Sequence, residues 1–286
     1  MKSCAMDGID VAYEEFGHGR PLLFLHGWTL DHACEVADFE PIFADRPGWR
    51  RLYLDLPGHG RTPGAERVRD MDGILQVVLE VADSLCPGQR FAVAGTSAGA
   101  LPARGVVYRR PEQVCGLLIR IPLIVADDAR RSLPEPAAVV EDQAFMASLS
   151  DEDREMYGDI LVQKADFLDP LKQYMGKYIW PAQARGDAAF CGAIRPDPKR
   201  YDLSFDVDDL PQPFMGPSLI LAGRQDTTVG YRDAWSIVEA YPRATFVVLD
   251  RYGHDPALQN AELFKMLVHD WLDRVEEAEA LRTSGA

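Results

Sequence analysis

The sequence predicts an α/β fold, with helices covering both faces of a mostly parallel sheet. Two observations support this prediction: short unbroken apolar runs recur along the chain, and helical patterns of apolar residues lie between them. Unbroken runs are typical of strands that are buried on both faces, whereas strict alternation is typical of a sheet with one face in water. Strands that alternate with helices indicate the α/β class.

The strands are predicted from the apolar runs in chain order. An earlier segment, Val11 to Glu15, alternates between apolar and polar residues and is expected to be an antiparallel edge strand. The unbroken runs are Leu22–Leu25, Leu52–Leu54, Phe91–Ala94, Leu117–Ile121, Leu219–Leu221 and Phe246–Leu249.

The clearest helical pattern spans residues 68–85, where apolar residues recur three and four positions apart. Further helices are expected at Ala100–Arg109 and Tyr231–Tyr241. A last helix is expected from Leu263 to the acidic tail Glu276–Glu279. Each follows a predicted strand, as the α/β class requires.

The alternation of strands and helices stops between about Asp127 and Pro213, where the chain is helix-prone. Ser150 and the acidic residues after it are typical of a helix start. A stripe at helical spacing, from Phe167 through Tyr174 to Tyr178, is expected to pack against the rest of the protein. Tyr174 and Tyr178 are also candidate substrate contacts, because a helical insertion between sheet strands is where a lid lies.

Composition limits the function classes. The chain has 286 residues, enough for one large domain or a core with an insertion. Its 45 acidic and 30 basic residues give a net charge of -15, and no basic cluster appears, so nucleic acid and anionic membranes are not expected partners. The sequence contains no run of about 18 apolar residues, so no membrane-spanning segment is expected.

The cysteines and the N-terminus indicate the compartment. The five cysteines are widely spaced and form no C-x-x-C pair, so we expect free thiols and neither a disulfide framework nor a zinc site. Met1 to Asp10 lacks the apolar stretch of a signal peptide. We therefore expect a cytoplasmic protein.

The strongest chemical signal is Gly95-Thr96-Ser97-Ala98-Gly99, a G-x-S-x-G directly between a predicted strand and a predicted helix. A sharp turn there exposes the serine hydroxyl above the sheet, and small residues on both sides let strand and helix approach. Ser97 is therefore the candidate nucleophile.

A serine hydroxyl needs a base to take its proton and a carboxylate to orient that base. Of the six histidines, only His254 and His269 follow both the serine and a candidate acid. His269 lies inside a predicted helix, whereas His254 lies on a loop after the last strand and is the candidate base. Asp226, in the loop after the preceding strand, is the favoured acid. Asp127 or Asp128 is the alternative, and Asp255 is too close to His254 in sequence to orient its ring easily.

The negative oxygen that forms during acyl transfer needs preset N–H donors. The amide of Ala98, directly after the nucleophile, is one candidate. The amide of Trp28, in the turn that begins at His26-Gly27, is the second candidate. The Trp28 ring is also expected at the mouth of the pocket, as a substrate contact that favours a compact apolar acyl group.

Five ordered motifs together resemble the α/β-hydrolase superfamily over nearly the whole chain. Its members use the order serine, acid, histidine. The resemblance implies an eight-stranded sheet, with a helical cap inserted after the sixth strand. It divides the chain into a core at 1–126 and 214–286 and a cap at 127–213. The motifs are His26-Gly27-Trp28, Asp55–Thr62, Gly95–Gly99, Gly223–Asp226 and Gly253-His254.

Departures from particular branches narrow the chemistry. Haloalkane dehalogenases and epoxide hydrolases of this superfamily have aspartate where this chain has Ser97. Proline iminopeptidases usually have Gly-Gly-Pro after the first His-Gly, where this chain has Trp28-Thr29. The sequence thus predicts cleavage of a small ester or lactone through an acyl-enzyme.

Three further functions are compatible with the same motifs: hydrolysis of a carbon–carbon bond, acyl transfer to an alcohol, amine or peroxide, and ligand binding without catalysis on the same fold. No nucleotide-binding or metal-ligand spacing appears, so we expect neither a cofactor nor a metal. A small molecule is the expected partner, and the cap or the sheet edge is a candidate interface for a homo-oligomer.

Overall fold

The computed structural model describes residues 1–254 and 260–284, and this part of the chain contains one eight-stranded sheet. In space the strands follow the order β1-β2-β4-β3-β5-β6-β7-β8. The pairs β1–β2 and β2–β4 are antiparallel, and all others are parallel. The strands are β1 (Lys2–Met6), β2 (Ile9–Phe16), β3 (Arg20–Leu25), β4 (Trp49–Leu54), β5 (Phe91–Thr96), β6 (Val114–Arg120), β7 (Ser218–Gly223) and β8 (Ala244–Leu249).

Each predicted strand is present, but β2, predicted as an antiparallel edge strand, is antiparallel and pairs with both β1 and β4. The edge is formed by one further strand, β1, which was not predicted. It pairs with β2 through a tight turn at Asp7-Gly8, where Gly8 has φ 73°. An Asp-Gly pair is a strong hairpin signal because glycine adopts positive φ without strain. The mixed polarity of Lys2–Met6 conceals the strand, since an edge strand needs only one buried face.

Helices cover both faces of the sheet, and most of them lie where the sequence predicts. The predicted helix at 231–241 is shorter, and a 3₁₀ turn at Val238–Ala240 follows it. The helices are α1 (His32–Phe43), α2 (Met71–Leu85), α3 (Ala100–Arg109), α4 (Gln143–Ser148), α5 (Asp151–Tyr157), α6 (Ala165–Tyr174), α7 (Trp180–Arg185), α8 (Ala188–Ile194), α9 (Tyr231–Ser236) and α10 (Ala261–Ser284).

The last helix does not end in the acidic tail. Helix α10 continues through residues 276–279 to Ser284. Glu279 is buried, and its Oε1 accepts a hydrogen bond of 3.0 Å from Arg90 Nε. The predicted end was wrong because this paired glutamate lies on the packed face of the helix, which the charge pattern conceals.

Two apolar clusters lie on opposite faces of the sheet. Residues such as Leu23 and Val93 pack toward α2 and α3, whereas their strand neighbours, among them Phe24, pack toward Phe39 of α1 and Trp271 of α10. Successive side chains point to opposite faces of a strand, so both sets must be apolar. This explains the unbroken apolar runs in the sequence.

Five helices, α4 to α8, lie between β6 and β7, in the segment where the alternation stops. Ser150 caps α5 as expected, because its Oγ accepts a hydrogen bond of 3.1 Å from the amide of Asp153. Helix α6 continues into a π-helical turn at Met175–Ile179. The segment lies over the carboxyl ends of the strands, where it contributes to the site described below.

The five cysteines are buried free thiols, which confirms the prediction that none forms a disulfide. Among the described residues, no helix combines the length and the apolar character that crossing a bilayer requires.

Candidate active site

Ser97 stands in a sharp turn between β5 and α3. Its backbone has φ 51°, one of three non-glycine residues with positive φ among those described. Such a conformation is strained for a residue with a side chain, and strain of this kind is common at functional sites. The turn lifts the hydroxyl above the end of the sheet into a cavity.

The two glycines of the motif are required by close packing. A Cβ on Gly95 would lie 2.5 Å from the carbonyl oxygen of Gly99, and a Cβ on Gly99 would collide with the carbonyl oxygens of Leu25 and His26. Both positions therefore exclude every residue larger than glycine, and the turn can form only with this pattern of small residues.

A chain of hydrogen bonds connects Ser97, His254 and Asp226. The Nε2 atom of His254 lies 2.9 Å from Ser97 Oγ, and its Nδ1 atom lies 2.8 Å from Asp226 Oδ2. A proton on Nδ1, donated to the carboxylate, leaves Nε2 as the acceptor for the serine proton. The structure thus brings together the three residues that the sequence proposed as nucleophile, base and acid.

Asp226 is held rigidly in the loop after β7. It is 1% exposed, and its second oxygen, Oδ1, accepts hydrogen bonds from the amides of Thr228 and Val229 at 2.8 and 3.0 Å. These bonds leave Oδ2 directed at the histidine. The carboxylate is therefore oriented before any substrate binds.

Asp127 and Asp128, the second choice for the acid, lie elsewhere. Asp127 Oδ1 accepts a hydrogen bond from the amide of Ala129, and Asp128 pairs with Arg131 and Arg195. Neither aspartate is hydrogen-bonded to His254. Asp255, rejected on sequence grounds, lies outside the described residues.

Trp28 and Ala98 lie next to Ser97. Ala98 is buried directly after Ser97, and Trp28 lines the same cavity as the serine hydroxyl. Within residues 1–254 and 260–284 the Trp28 amide donates no hydrogen bond. The backbone around it turns sharply, since Thr29 has φ 62°, and the Thr29 hydroxyl donates to the Trp28 carbonyl at 2.7 Å.

His26 holds this turn in place. The ring is buried. Its Nδ1 donates a hydrogen bond of 2.8 Å to the Gly27 carbonyl oxygen, and its Nε2 accepts one of 3.0 Å from the Leu56 amide. Both contacts fit a neutral ring, and burial lowers the pKa of His26. His26 therefore connects the turn before Trp28 to the loop after β4.

The cavity above Ser97 has a volume of about 310 Å³. Apolar side chains from α6, the π-helical turn and the sheet ends form much of its wall, together with His254, Trp28 and several arginines. Its main apolar residues are Leu30, Ile121, Leu123, Leu171, Met175, Ile179 and Val229.

One of the two tyrosines predicted as substrate contacts faces this cavity and its partner does not. Tyr174 lines it, whereas Tyr178 lies in a separate groove with Pro41 and Lys265. The two rings pack 5.1 Å apart and Tyr174 borders both spaces, but Tyr178 does not line the cavity above Ser97. The predicted contact of Tyr178 with a substrate in that cavity was therefore wrong.

Comparisons with known proteins agree with this geometry. The profile described as "Alpha/beta hydrolase family" matches residues 22–266, which is most of the chain. The chain belongs to the alpha/beta hydrolase family. This confirms the resemblance inferred from the five motifs and the predicted fold, and it supports the expectation of a hydrolase.

Relatives of this α/β-hydrolase include enzymes named as esterases. Pimeloyl-[acyl-carrier protein] methyl ester esterase of Legionella pneumophila (strain Corby) is 22% identical over 272 residues, which cover 92% of this chain and 100% of the relative. The esterase of the same name from Shewanella woodyi is 26% identical over 91% of this chain and 97% of the relative.

The fold of the α/β-hydrolase also matches solved structures. An alpha/beta superfamily hydrolase from Oenococcus oeni PSU-1 has a TM-score of 0.81 at 24% sequence identity, with 96% of this chain and 100% of that chain covered. This likeness shows the shared architecture.

Sequence reasoning missed a buried charge network next to Ser97 of this α/β-hydrolase. Arg120, at the end of β6, is 4% exposed. Its Nη2 lies 3.2 Å from Glu35 Oε1, and its Nη1 lies 2.6 Å from Asp38 Oδ2. Its Nε donates at 2.7 Å to the hydroxyl of Thr96, which in turn donates at 3.0 Å to Glu35. The one sequence signal was an arginine inside an otherwise apolar strand.

A second buried cluster joins α1 to the loop after β4. Asp31, His32 and Asp55 place one potential metal-ligand atom each within 4.8 Å of one another. N–H groups already occupy these carboxylates: His32 Nδ1 lies 2.8 Å from Asp55 Oδ1, and Arg185 Nη2 lies 2.5 Å from Asp31 Oδ2. The arrangement is that of a structural network, which also ties α7 to the core.

His59 shapes its loop, as the sequence suggested. Its Nδ1 lies 2.9 Å from the carbonyl oxygen of Pro57, and its Nε2 lies 3.6 Å from the thiol of Cys191 in α8. Burial lowers the pKa of His59 to about 3. The ring is therefore neutral in the folded protein at any ordinary pH.

We expect the free energy of unfolding to fall as pH drops below about 6.5, because the unfolded chain then binds a proton that folded His59 does not. One such group contributes at most about 1.4 kcal/mol per pH unit. Urea unfolding at about pH 7, 6 and 5 should give a shallower decline for His59→Gln than for the unmodified protein.

Other buried histidines also make the free energy of unfolding depend on pH, so the contribution of His59 must be obtained by comparing variants. His26 acts in the same direction as His59. For His32, burial opposes the charged form, but the hydrogen bond and charge of Asp55 outweigh it and raise the pKa, so its contribution is lost as pH rises. The exposed His18 supplies a matched control, since His18→Gln should keep the full decline. Equal slopes for His59→Gln and His18→Gln would contradict the prediction.

Proposed function

We propose that this chain hydrolyses small carboxylic esters, including lactones, through an acyl-enzyme formed on Ser97. The observation that carries the proposal is the continuous hydrogen-bond chain from Ser97 Oγ through His254 to Asp226. A nucleophile, a base and an orienting carboxylate within hydrogen-bond distance are what acyl transfer requires. The esterase names of the relatives support the same reaction class.

In the first half-reaction, Ser97 Oγ attacks the carbonyl carbon of the ester while His254 Nε2 takes the hydroxyl proton. The carbonyl π electrons move to its oxygen, and Asp226 stabilises the imidazolium that forms. When the tetrahedral intermediate collapses, the bond to the alcohol oxygen breaks. His254 then returns its proton to the leaving alkoxide, and the acyl group remains on Ser97.

In the second half-reaction, water takes the place of the serine. His254 removes a proton from water as its oxygen attacks the acyl carbon, and the proton then passes to Ser97 Oγ as the ester to the enzyme breaks. The products are a carboxylic acid, an alcohol and the original enzyme. We assign the amides of Trp28 and Ala98 as donors to the oxyanion in both half-reactions.

We further propose that residues 127–213 act as a cap that limits substrate size. Leu171, Tyr174, Met175 and Ile179 of this segment line the cavity. A volume of about 310 Å³ lies at the small end of the range for ligand pockets, roughly 300–1,000 Å³. Trp28 adds a large ring to the wall of this small cavity, so a short acyl group fits better than a long one.

Aryl esters of graded acyl length test the proposal. We expect release of p-nitrophenol from the acetate and butyrate esters, with a decline for octanoate and longer chains, because the cavity is small. A fluorophosphonate probe should label Ser97 and block this activity. Hydrolysis that persists after complete labelling would overturn the assignment of Ser97 as nucleophile. A protein that neither labels nor turns over any ester would favour a ligand-binding protein.

Competing acceptors and a diketone distinguish ester hydrolysis from acyl transfer and from carbon–carbon cleavage. Added alcohols, amines or peroxide should leave the yield of free acid largely unchanged if water is the acceptor. A vinylogous 1,5-diketone should remain uncleaved if the enzyme acts on esters alone. Transfer of the acyl group in preference to water, or cleavage of the diketone, would reassign the reaction without changing the nucleophile.

A further inference from the structure

Three arginines and Asp38 line the cavity above Ser97. Arg120 has two carboxylate partners of its own, Glu35 and Asp38. Arg131 and Arg195 instead share one, Asp128, as their carboxylate partner within 4 Å in the described part of the chain. The cluster of Arg131, Arg195 and Asp128 therefore carries one positive charge that no carboxylate in it balances.

Arg131 is held by the backbone. Its side chain is 5% exposed, and its nitrogens donate to the carbonyl oxygens of Val125, Ala126 and Thr228 at 2.8, 3.2 and 2.9 Å. A contact of 2.7 Å with Asp128 completes its surroundings. Arg131 therefore supplies a fixed positive charge and has little donor capacity left for a ligand.

Arg195 differs, because part of its guanidinium is uncommitted. Both of its bonds to Asp128, at 2.8 and 2.9 Å, come from Nη2. Nε and Nη1 donate no hydrogen bond within residues 1–254 and 260–284. The side chain is 34% exposed and lines the cavity.

The Arg195 guanidinium is also positioned in advance. Its Cζ lies 4.6 Å from the centre of the Tyr201 ring, and that ring packs edge-on against Trp28 with centroids 5.0 Å apart. Burial raises the pKa of Tyr201 to about 12, so the ring stays neutral. Stacking on a buried ring reduces the entropy that an arginine loses when it binds a ligand.

We propose that Arg195, with Arg131 behind it, binds a carboxylate at the end of the substrate remote from the scissile ester. The proposal rests on the ester hydrolysis proposed above, and it names the substrate class: half-esters of small dicarboxylic acids. A planar guanidinium with two adjacent N–H groups matches a carboxylate, and the apolar wall of the cavity suits a short methylene chain.

Matched pairs of substrates test this proposal. Monomethyl succinate, glutarate and adipate carry the charge at increasing distance, and the corresponding dimethyl esters lack it. We expect the best half-ester to exceed its diester in kcat/KM. Arg195→Gln should lower kcat/KM for the half-ester by about 10- to 100-fold, mainly through KM, because a charge-assisted hydrogen bond is lost. The diester should change less than about threefold.

Two further variants test whether the loss of activity in Arg195→Gln arises from a structural change. Arg195→Lys keeps the charge and should retain more half-ester activity than Arg195→Gln. Arg200→Gln is the matched control, since exposed Arg200 pairs weakly with Asp197 at 3.6 Å and lies outside the cavity lining. It should leave both substrates unchanged. Equal losses on half-ester and diester, or no loss on either, would overturn the carboxylate site.

Binding separates this proposal from the proposed reaction. Calorimetry with monomethyl glutarate on the Ser97→Ala protein, where the ester persists, should show binding that Arg195→Gln weakens about 10-fold or more. Arg195-dependent binding without turnover in the unmodified enzyme would leave the carboxylate site standing and remove the ester hydrolase. Turnover without any preference for the half-ester would support the ester hydrolase and remove the carboxylate site.

Discussion

Ser97→Ala should lower kcat for the best aryl ester by about 10⁴-fold or more, because the residual oxyanion donors and binding cannot replace the nucleophile. Removal of the hydroxyl eliminates the atom that attacks and also the partner of His254 Nε2 at 2.9 Å. KM should change little, since the hydroxyl contributes mainly to the transition state. Steady-state kinetics together with active-site titration measure the loss.

The matched control is Ser148→Ala. Ser148 is exposed at the end of α4, and its hydroxyl donates to the carbonyl oxygen of Phe145. It lies far in the chain from the strand–helix turn that contains Ser97. We expect full activity in that variant and unchanged unfolding midpoints in both. A Ser97→Ala protein that is folded and still active within about 10-fold would remove the acyl-enzyme mechanism and require another nucleophile.

Arg120→Met should reduce the free energy of unfolding by about 3–5 kcal/mol, because it leaves buried carboxylates without their cation. Arg120 contacts Glu35, Asp38 and Thr96, and its side chain is 4% exposed. Burial already raises the pKa of Glu35, so loss of the neighbouring positive charge favours a protonated, neutral Glu35 still further. Guanidinium-chloride unfolding at neutral pH measures the change.

A charge-free version of the network tests the cause. Arg120→Met combined with Glu35→Gln and Asp38→Asn should recover part of the lost stability, because no ion then remains buried and unpaired. Arg110→Met is the control: its pair with Asp83, at 3.3 Å, is exposed, so the loss should be under about 1 kcal/mol. Equal losses for Arg120→Met and Arg110→Met would show that the network does not stabilise the fold.

The positions of the candidate nucleophile and base could be predicted from sequence because local backbone chemistry restricts both. The sharp turn from strand to helix requires glycine at positions 95 and 99. This turn, the serine elbow, therefore leaves a pattern that can be recognised in the sequence. His254 was singled out by its order in the chain and its place after the last strand. The acid remained a choice between Asp226 and Asp127 or Asp128, because sequence order carries no distance.

The contacts made by residues 127–213 were harder to predict from the sequence than the strands. Tyr174 and Tyr178 share a helical stripe in the sequence and their rings pack 5.1 Å apart, yet of the two only Tyr174 lines the cavity above Ser97. The arginines of the cavity were missed for a related reason. Arg131 lies three residues after Asp128, but Arg195 is 67 positions away, and only the fold brings it to that pair.

By itself, the sequence determined the α/β class, the sheet strands that are buried on both faces, and the serine elbow with its histidine. Each of these depends on residues close together in the chain, where steric limits and burial leave a local pattern. The tertiary structure alone decided which aspartate meets His254, which tyrosine faces the cavity, and which arginine keeps free donors there. Those outcomes depend on distances between remote segments, which packing of the whole chain sets.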